Sequence, residues 1–564
     1  VLIDTAKDKM RRQYAAIGSS LAQDALETDN VQALQSEEER LRKIRHAALH
    51  ERHPKALERL KRLGRLSVEE RFKRLFDAGS EVLPLMSLAR GSDNYDSRSA
   101  GVYVAIGQVH GLYCVVVAND NGQAAGAWFA RTPNKITRAQ KIALKLRVPI
   151  IYLVECSGLF LPLAHEAFAG ADGGGSIFKL QAQLMHEGVV QLAAVFGDCI
   201  AGGGYMPIMT DYVIMTEAAN MLIGGSAIAK GAKGIDLDQA RIAGPNVHVH
   251  ISHCADERAP DDNAAILMLR EKIDALGQGN ANFYRNDAQK PAFSSDEVYA
   301  ILAKSSSAAW DLRELLARWV DASLVSELWH GFGEEIFACV GAVGGLDLVF
   351  IGNSGRILQN TQGQILSGAL LYKDGIKKMQ RIVRACAEDG IPIVWLQDVA
   401  GFDLGKGAEA DGLLGLGANL LYENSNNPAP QMTIILRKAS GAGYYAMGGL
   451  PFEPVMQLST VLAEETVMSP ETLANAVYAK KRELLSKDAA KNASALREIN
   501  AAQEELLELA RREASPLRNA ELLYSDELVC LTEIPLYLRA FAEMSYQGYR
   551  KRRPRRLWRL NDEF

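Results

Sequence analysis

Several things are scarce in this sequence, and each shortage narrows the reading. Its 63 basic and 68 acidic residues leave a formal charge of only −5. No excess of one sign therefore points to a nucleic-acid partner. Cysteine is sparse, with seven residues in 564 (114, 156, 199, 254, 339, 386 and 530) and no CxxC pair. Cys114, in LYCVVVA, sits where a free cysteine behaves as a small hydrophobe, so a reducing, cytoplasmic location is expected. No uninterrupted apolar run approaches the roughly 20 residues that span a bilayer. The opening VLIDTAKDKMRRQY has no apolar core of the kind a signal peptide needs. With 23% charged and 48% hydrophobic residues spread evenly, a disordered, collagen-like or coiled-coil chain is excluded. A large globular protein remains, with room for two to four domains at about 150 residues each.

Texture divides the chain. Residues 1–80 read as a charged helical extension, with apolar positions at three- and four-residue spacing in LRKIRHAALHERHPKALERLKRLGRL. From about 100, short apolar runs such as YCVVVAND and PIIYLVE alternate with helical stretches, which argues for α/β layers around a largely parallel sheet. A polar stretch at 279–297 reads as a linker, and the α/β texture then resumes to about 465. Charged helix returns in ALREINAAQEELLELARRE. The expected organisation is a domain over 81–285, a second over 300–545, and a basic tail over 546–564. The run RKRRPRRLWR in that tail reads as a solvated or subunit-contacting segment.

The two α/β stretches repeat each other. VPIIYLVECSGLF (148–160) matches IPIVWLQDVAGFD (391–403), GQVHGLYCVVVAN (107–119) matches GAVGGLDLVFIGN (341–353), and GGGY (202–205) matches GAGY (441–444). Three anchors in one order, at offsets of 243, 234 and 239, imply a duplicated fold.

Each half offers the same backbone chemistry. An apolar strand ends in a tight turn, Ser157-Gly158-Leu159 or Ala400-Gly401-Phe402. A second strand runs into a glycine patch, Gly202-Gly203-Gly204 or Gly441-Ala442-Gly443. Glycine at a strand-to-helix junction lets a ligand approach the backbone and leaves N–H groups unpaired. Two such donors, one from each turn, could converge on one oxygen as an oxyanion hole, suited to a carbonyl that gains charge. The competing reading is tight turns and close helix packing with no catalytic role.

Other signals are weaker. His248, His250, His253 and Cys254 form a histidine cluster, and alternation would put His248 and His250 on one face of a strand. No carboxylate motif accompanies them, and no metal is expected. Glu155 and Asp398 stand at the ends of the two key strands, either as general bases or as groups that bond nearby N–H donors and fix the turns. The stretch from Gly225-Ser226 to Lys230-Gly231 lacks P-loop spacing. Lys378-Met379 is followed by Gln380, which is not the Met-Lys-Met context of a displayed carrier lysine.

The segments ECSGLF, GGGSIF, AGGGYMPIM, GLLGLGANLLYE, LRKASGAGYYAMGG and EETVMSPETLANAVY resemble the carboxyltransferase components of biotin-dependent acyl-CoA carboxylases and decarboxylases. The second half resembles the alpha subunit of glutaconyl-CoA decarboxylase. ITRAQKIALKLRVPIIYLVE in the first half resembles methylcrotonyl-CoA carboxylase. The resemblance covers about 100–545 and implies two tandem crotonase-like domains. It implies acyl-CoA held in the first domain, its thioester oxygen facing the N–H groups of Leu159 and Gly203, with Gly158, Gly202 and Gly204 shaping the approach. It implies the biotin ureido ring held in the second by Phe402 and Ala442, with Gly401, Gly441 and Gly443 around them. No side-chain acid or base is then required. Biotin would arrive on a carrier protein, with a biotin carboxylase or a sodium-pumping membrane decarboxylase as the further partner. The expected assembly is a homo-oligomer, a dimer at least with a hexamer as the larger alternative, whose active site lies at the subunit interface. The competing functions are a crotonase-type hydratase or isomerase, which needs a side-chain acid or base such as Glu217, and a scaffold that has lost its chemistry. Acyl selectivity is expected from FLPLAHEAF (160–168) and GADGGGSIF (170–178), where His165 and Glu166 match no family motif.

Overall fold

The computed structural model describes residues 13–93, 95, 97–225, 234, 238–277, 285–305, 307–359, 363–487 and 492–548. The basic run at 550–559, and Ser226 to Gly231 of the glycine-containing loop without P-loop spacing, lie outside the described residues. The chain forms two compact units, residues 42–284 with 543–564 and residues 1–41 with 285–542. The helical N-terminal stretch is shared between them rather than standing apart. In the second unit, Ala15–Ala16 pairs with Leu324 and Val325, and the buried Glu38 accepts from Tyr299 Oη at 2.6 Å and Leu531 N at 2.7 Å. Helices Pro54–Arg62 and Val68–Leu75 belong to the first.

The first unit is built on an eight-stranded sheet. Its strands are β1 (Leu83–Leu85), β2 (Val102–Val109), β3 (Leu112–Asn119), β4 (Ile150–Cys156), β5 (Gln191–Ile200), β6 (Tyr212–Thr216), β7 (Asn220–Leu222) and β8 (Glu257–Ala259). The order is β1-β2-β3-β4-β5-β6-β8, with β7 beside β5. β1 to β3 are antiparallel and every later pairing is parallel. β4 reads IIYLVEC without alternation because both faces are covered, as parallel strands require. One face buries Cys114, Val116, Ile151, Leu153, Leu192 and Ala194 in a cluster with Leu75, Phe76, Ile266, Leu269 and Ile273. Each such large side chain contributes about 1.5–3 kcal/mol.

The second unit follows the same plan. Its strands are β9 (Leu324–Glu327), β10 (Ile336–Val343), β11 (Leu346–Asn353), β12 (Leu370–Leu371), β13 (Ile393–Val399), β14 (Gly401–Phe402), β15 (Gln431–Ser440), β16 (Met456–Ser459), β17 (Glu464–Thr466) and β18 (Glu527–Leu528). The main sheet runs β9-β10-β11-β13-β15-β16-β18, with Ala15–Ala16 outside β9 and β17 beside β15. It changes from antiparallel to parallel after β11, the counterpart of β3. This agreement in order and direction is consistent with the internal repeat read from the sequence.

Pairing register refines that repeat. Ile150 pairs with Gln191 and Ile393 with Gln431, which fixes the offset between β5 and β15 at 240. The GGGY/GAGY match at 239 is therefore corrected by one residue. Backbone conformation agrees: Ala201 (φ 52°) and Gly441 (φ 56°) both carry positive φ where strand gives way to helix. By register Gly203 corresponds to Gly443, and Gly202 to Ala442. Sequence matching followed the glycines, whereas the hydrogen-bonded ladder decides which residues occupy one place.

Candidate functional site: paired backbone-donor turns

The turn after β4 is shaped by two bonds to one residue. Trp128 N donates to Gly158 O at 2.9 Å, and Phe160 N donates to Trp128 O at 2.8 Å. In such a parallel bridge the intervening N–H, that of Leu159, faces the other way, and among the described residues no acceptor meets it. The second unit repeats the arrangement 243 residues on. Leu371 bridges Phe402, Asp403 N donates to Leu371 O at 3.1 Å, and the Phe402 N–H faces away from β12. Gly158 (φ 97°) and Gly401 (φ 127°) make both turns possible, since side chains rarely adopt that backbone. An added Cβ would have room at either, so conformation and not space demands glycine there.

The glycine patch of each half begins a short helix, Gly202–Ile208 or Gly441–Ala446. The first N–H groups of any helix have no partner within it. Gly203 is fixed from below: a Cβ there would lie 2.7 Å from Cys156 Cβ and Sγ and 2.9 Å from Cys156 O. Gly443 approaches Val399 in the same way, at 2.7 Å from Cγ2. Cys156 and Val399 close β4 and β13, so in each unit the glycine helix lies directly on the end of the strand carrying the other turn. Burial pushes the Cys156 thiol up to about 12, which removes it as a nucleophile.

Glu155 and Asp398 brace these strand ends. The ladder is irregular at both residues, between Val154 and Cys156 and between Gln397 and Val399. Such bulges bend a strand and re-aim the residues beyond them. Glu155 accepts from Arg65 at 2.7 Å, Arg71 at 2.8 Å and Asn121 Nδ2 at 3.0 Å. Burial alone would raise its carboxyl, but Arg71 and Arg65 outweigh that and hold it below the usual range. Asp398 accepts from Arg437 Nη2 at 2.6 Å, Trp310 Nε1 at 2.9 Å and Lys438 N at 3.2 Å. Only Asp398 takes a backbone donor, so ion pairing, more than turn capping, is what both carboxylates do. With guanidiniums on both, neither is set up as a general base.

Around the first turn lies an aromatic wall. The Phe160 ring stands 4.7 Å from Tyr95 and 5.0 Å from Phe129, centroid to centroid. Trp128 packs against Gly202, whose added Cβ would lie 3.1 Å from its ring, and stands 6.5 Å from Phe178. Leu161 and Phe168 are exposed. Sequence reasoning missed Trp128 and Leu371, since a bridge across the fold leaves no local motif. It also missed Arg71 and Arg437, which read as ordinary helix and strand charges.

Other candidates resolve differently. His248 and His250 lie in the helix Pro245–His250, not on a strand, because Pro245 at its first turn presets a helical φ. His248 Nε2 meets Met221 O at 2.8 Å and Nδ1 meets Ser252 Oγ at 3.0 Å, so its ring holds structure. Among the described residues no group of three or more His, Cys, Asp or Glu could hold a metal. Glu217 is paired with Arg258, 2.8 Å from Nη2, which leaves a hydratase without that base. Lys378 is buried and donates to Ile336 O at 2.8 Å, so it is not a displayed carrier lysine. Among the described residues no helix is long and apolar enough to cross a membrane.

Comparison with known proteins agrees with this geometry. The family described as carboxyl transferase domain matches residues 60–560. The chain is 31% identical over 510 residues to the glutaconyl-CoA decarboxylase subunit alpha of Acidaminococcus fermentans, covering 86% of each chain. It is 32% identical over 426 residues to the biotin-dependent 3-methylcrotonyl-coenzyme A carboxylase beta1 subunit of Mycobacterium tuberculosis, covering 75% of this chain and 78% of that one. In fold it is similar to the beta subunit of P. aeruginosa geranyl-CoA carboxylase, with a TM-score of 0.81 and 22% identity over 96% of this chain and 98% of the other. Two α/β units of one strand plan, and a family match across most of the length, have one reading: this chain belongs to the carboxyl transferase family.

Proposed function

We propose that this chain moves a carboxyl group between an acyl-CoA and a biotin carried on a partner protein. The observation that carries the reading is the repetition, within one chain, of a parallel bridge that turns an N–H outward beside a glycine helix start. One such pair suits one enolate oxygen, and two suit a reaction with a thioester enolate on one side and a ureido oxygen on the other. The relatives compared with this chain are carboxylase and decarboxylase subunits; all three of their names specify a CoA thioester and one specifies biotin.

In this reading residues 81–285 form the acyl-CoA side and 300–545 the biotin side. Leu159 and Gly203 donate to the thioester oxygen, while Phe402 and Ala442 donate to the ureido oxygen. Gly443, the register counterpart of Gly203, is the alternative second donor on that side. Biotin supplies the ring nitrogen that carries the carboxyl group. The chain's own residues orient the two oxygens, exclude water with the Tyr95, Phe129 and Phe160 wall, and require no side-chain base. The acyl group is short or mid-sized and unsaturated. The partner sets direction, carboxylation with a biotin carboxylase and decarboxylation with a membrane decarboxylase subunit. The assembly is a homo-oligomer of two or more chains with the active site at the interface.

The test is a transfer assay with the purified chain, free or carrier-bound biotin, and malonyl-, methylmalonyl-, glutaconyl- and 3-methylglutaconyl-CoA, read by mass spectrometry. Biotin-dependent loss of carboxylate from one ester supports the proposal and names the substrate. Tight CoA-ester binding with no transfer to either form of biotin refutes it.

A further inference from the structure

Each glycine helix is tied by a buried amide, Gln181 Nε2 donating to Met206 O at 2.7 Å and Asn424 Nδ2 to Ala446 O at 3.0 Å, and the second is tied by a further polar chain as well. β17 lies beside the end of β15 with Glu465 opposite Ala439, two residues before the Gly441–Ala446 helix. The Glu465 carboxylate accepts from Ser459 Oγ at 2.9 Å and Gln457 Nε2 at 3.1 Å, both on β16. The same Gln457 amide donates to Tyr524 O at 2.8 Å, and its Oε1 accepts from Tyr444 Oη at 3.1 Å. Tyr444 Oη in turn accepts from Leu450 N at 2.9 Å, and the Tyr444 carbonyl accepts from Gln397 Nε2 at 3.2 Å. The amide is thus oriented from both ends, and Tyr444 directly follows Gly441, Ala442 and Gly443.

Register gives the counterparts in the first unit. Asp198 pairs with Asn220 where Lys438 pairs with Glu464, and Leu192 pairs with Tyr212 where Met432 pairs with Met456. Glu465, Gln457, Ser459 and Tyr444 therefore stand where the first unit has Met221, Val213, Met215 and Gly204. The three side chains there are buried and apolar. The tie that the two units share is the amide on the helix carbonyl, so the added Glu465 chain is particular to the second.

We propose that Glu465 is a positioning residue of the biotin side, fixing through Gln457 and Tyr444 the helix turn that carries Ala442 and Gly443. This rests on the carboxyl-transfer reading of the chain. Burial pushes the Glu465 carboxyl up to about 7, and Asp526 pushes the same way, against the pull of Ser459 and Gln457. The other titratable groups around it are Tyr444 on the glycine helix, Glu464 on its own strand, Arg437 and Lys438 on β15, Glu527 on β18, and Arg518 and Glu521 on the helix Pro516–Glu521. Arg437 is committed to Asp398, and Arg518 to Glu513 and Glu521. Ionised, Glu465 accepts both bonds. Protonated, it can donate to Ser459 Oγ, whose own proton turns to Ser525 Oγ at 2.9 Å, so both bonds survive but lose their charge assistance and hold the turn less firmly. Biotin-side function therefore improves as pH rises through about 7.

The experiment compares wild type, Glu465→Gln and Tyr444→Phe in carboxyl transfer to free biotin from pH 6 to 9. Wild type is expected to show a rise in kcat/KM for biotin centred near 7. Glu465→Gln loses that rise and, at the upper pH, about tenfold in kcat/KM for biotin, the scale of one charged hydrogen bond lost. KM for the CoA ester stays unchanged, a split that general destabilisation would not produce. Tyr444→Phe lowers kcat/KM for biotin in the same way but leaves the carboxyl titrating. Infrared difference titration of wild type against Glu465→Gln reads the protonated carboxyl band directly. Transfer with superimposable pH profiles in wild type and Glu465→Gln overturns the inference alone, as does absence of the band. No transfer by wild type to biotin in any form refutes the proposed function and the inference together. Should Glu465→Gln not fold, the Tyr444→Phe split decides by itself: a change in CoA-ester KM equal to that for biotin overturns the inference.

Discussion

Replacing Gly203 by alanine puts a number on how the first site is built. Its Cβ would stand 2.7 Å from Cys156 Cβ and Sγ and 2.9 Å from Cys156 O, where ordinary contact begins at 3.4 Å. The turn must move by the difference, about 0.7 Å, and the backbone carbonyl cannot rotate aside. The donor moves with it. A displacement near 1 Å can cost about 100-fold in rate, and loss of one oxyanion donor costs about 10²–10³. Gly203→Ala is thus expected to lower carboxyl transfer by about 10²-fold, with about 1–3 kcal/mol of overpacking cost in stability. Gly415→Ala is the control, because an added Cβ there meets nothing within 4 Å. Cys156→Gly in the Gly203→Ala background removes the side-chain clash but leaves the 2.9 Å approach to the carbonyl, so rescue is partial. The assay is initial rate of transfer at saturating CoA ester, with thermal melting to confirm folding. A folded Gly203→Ala chain within threefold of wild type refutes the assignment of Gly203 as a donor.

Three further expectations are independent of that one. Gly443→Ala brings a Cβ to 2.7 Å from Val399 Cγ2; if Gly443 is the biotin-side donor, it impairs transfer more than the bulkier Ala442→Val, and measured kcat/KM for biotin decides between the two. Phe160→Ala removes the ring standing 4.7 Å from Tyr95, so relative turnover of short and long CoA esters is expected to change while KM for biotin does not. Equal loss for every ester counts against a selectivity role. Arg71→Met takes from Asp262 its guanidinium at 2.9 Å and leaves Glu155 with Arg65 alone of its two, and is expected to cost about 3–5 kcal/mol at neutral pH. The Glu155 carboxyl is held low by its arginines, so the stability it contributes is present above about 4.5 and fades as pH falls. The melting deficit of Arg71→Met should therefore hold from pH 8 down to about 4.5 and shrink below it, and a deficit that does not shrink in acid would mean the carboxylates are not what Arg71 serves.

Much of the candidate site was legible because it rests on local sequence. Gly158 and Gly401 announce their turns, since only glycine adopts their backbone at no cost. The apolar runs of β4 and β13 declare strands covered on both faces. The repeat showed because both halves solve one packing problem with like residues. Its last anchor slipped by one position, because glycines can be matched at either of two registers and only the ladder from Ile150–Gln191 and Ile393–Gln431 separates them. The histidine cluster misled in the opposite way, its two-residue spacing suiting a strand while Pro245 starts a helix.

The sequence by itself determined the α/β repeat, the glycines at each junction and the family, because these depend on residue type and order along the chain. Tertiary structure decided the rest, since it depends on what residues far apart in the chain do to one another. Arg71 comes 84 residues before the Glu155 it neutralises, Trp128 reaches across to turn the Leu159 N–H outward, and Glu465 meets Gln457 on a neighbouring strand. A carboxylate read alone is a candidate base. With a guanidinium at 2.8 Å it is a brace, because opposite charge at that distance lowers its affinity for a proton, and no stretch of sequence around it says which it will be.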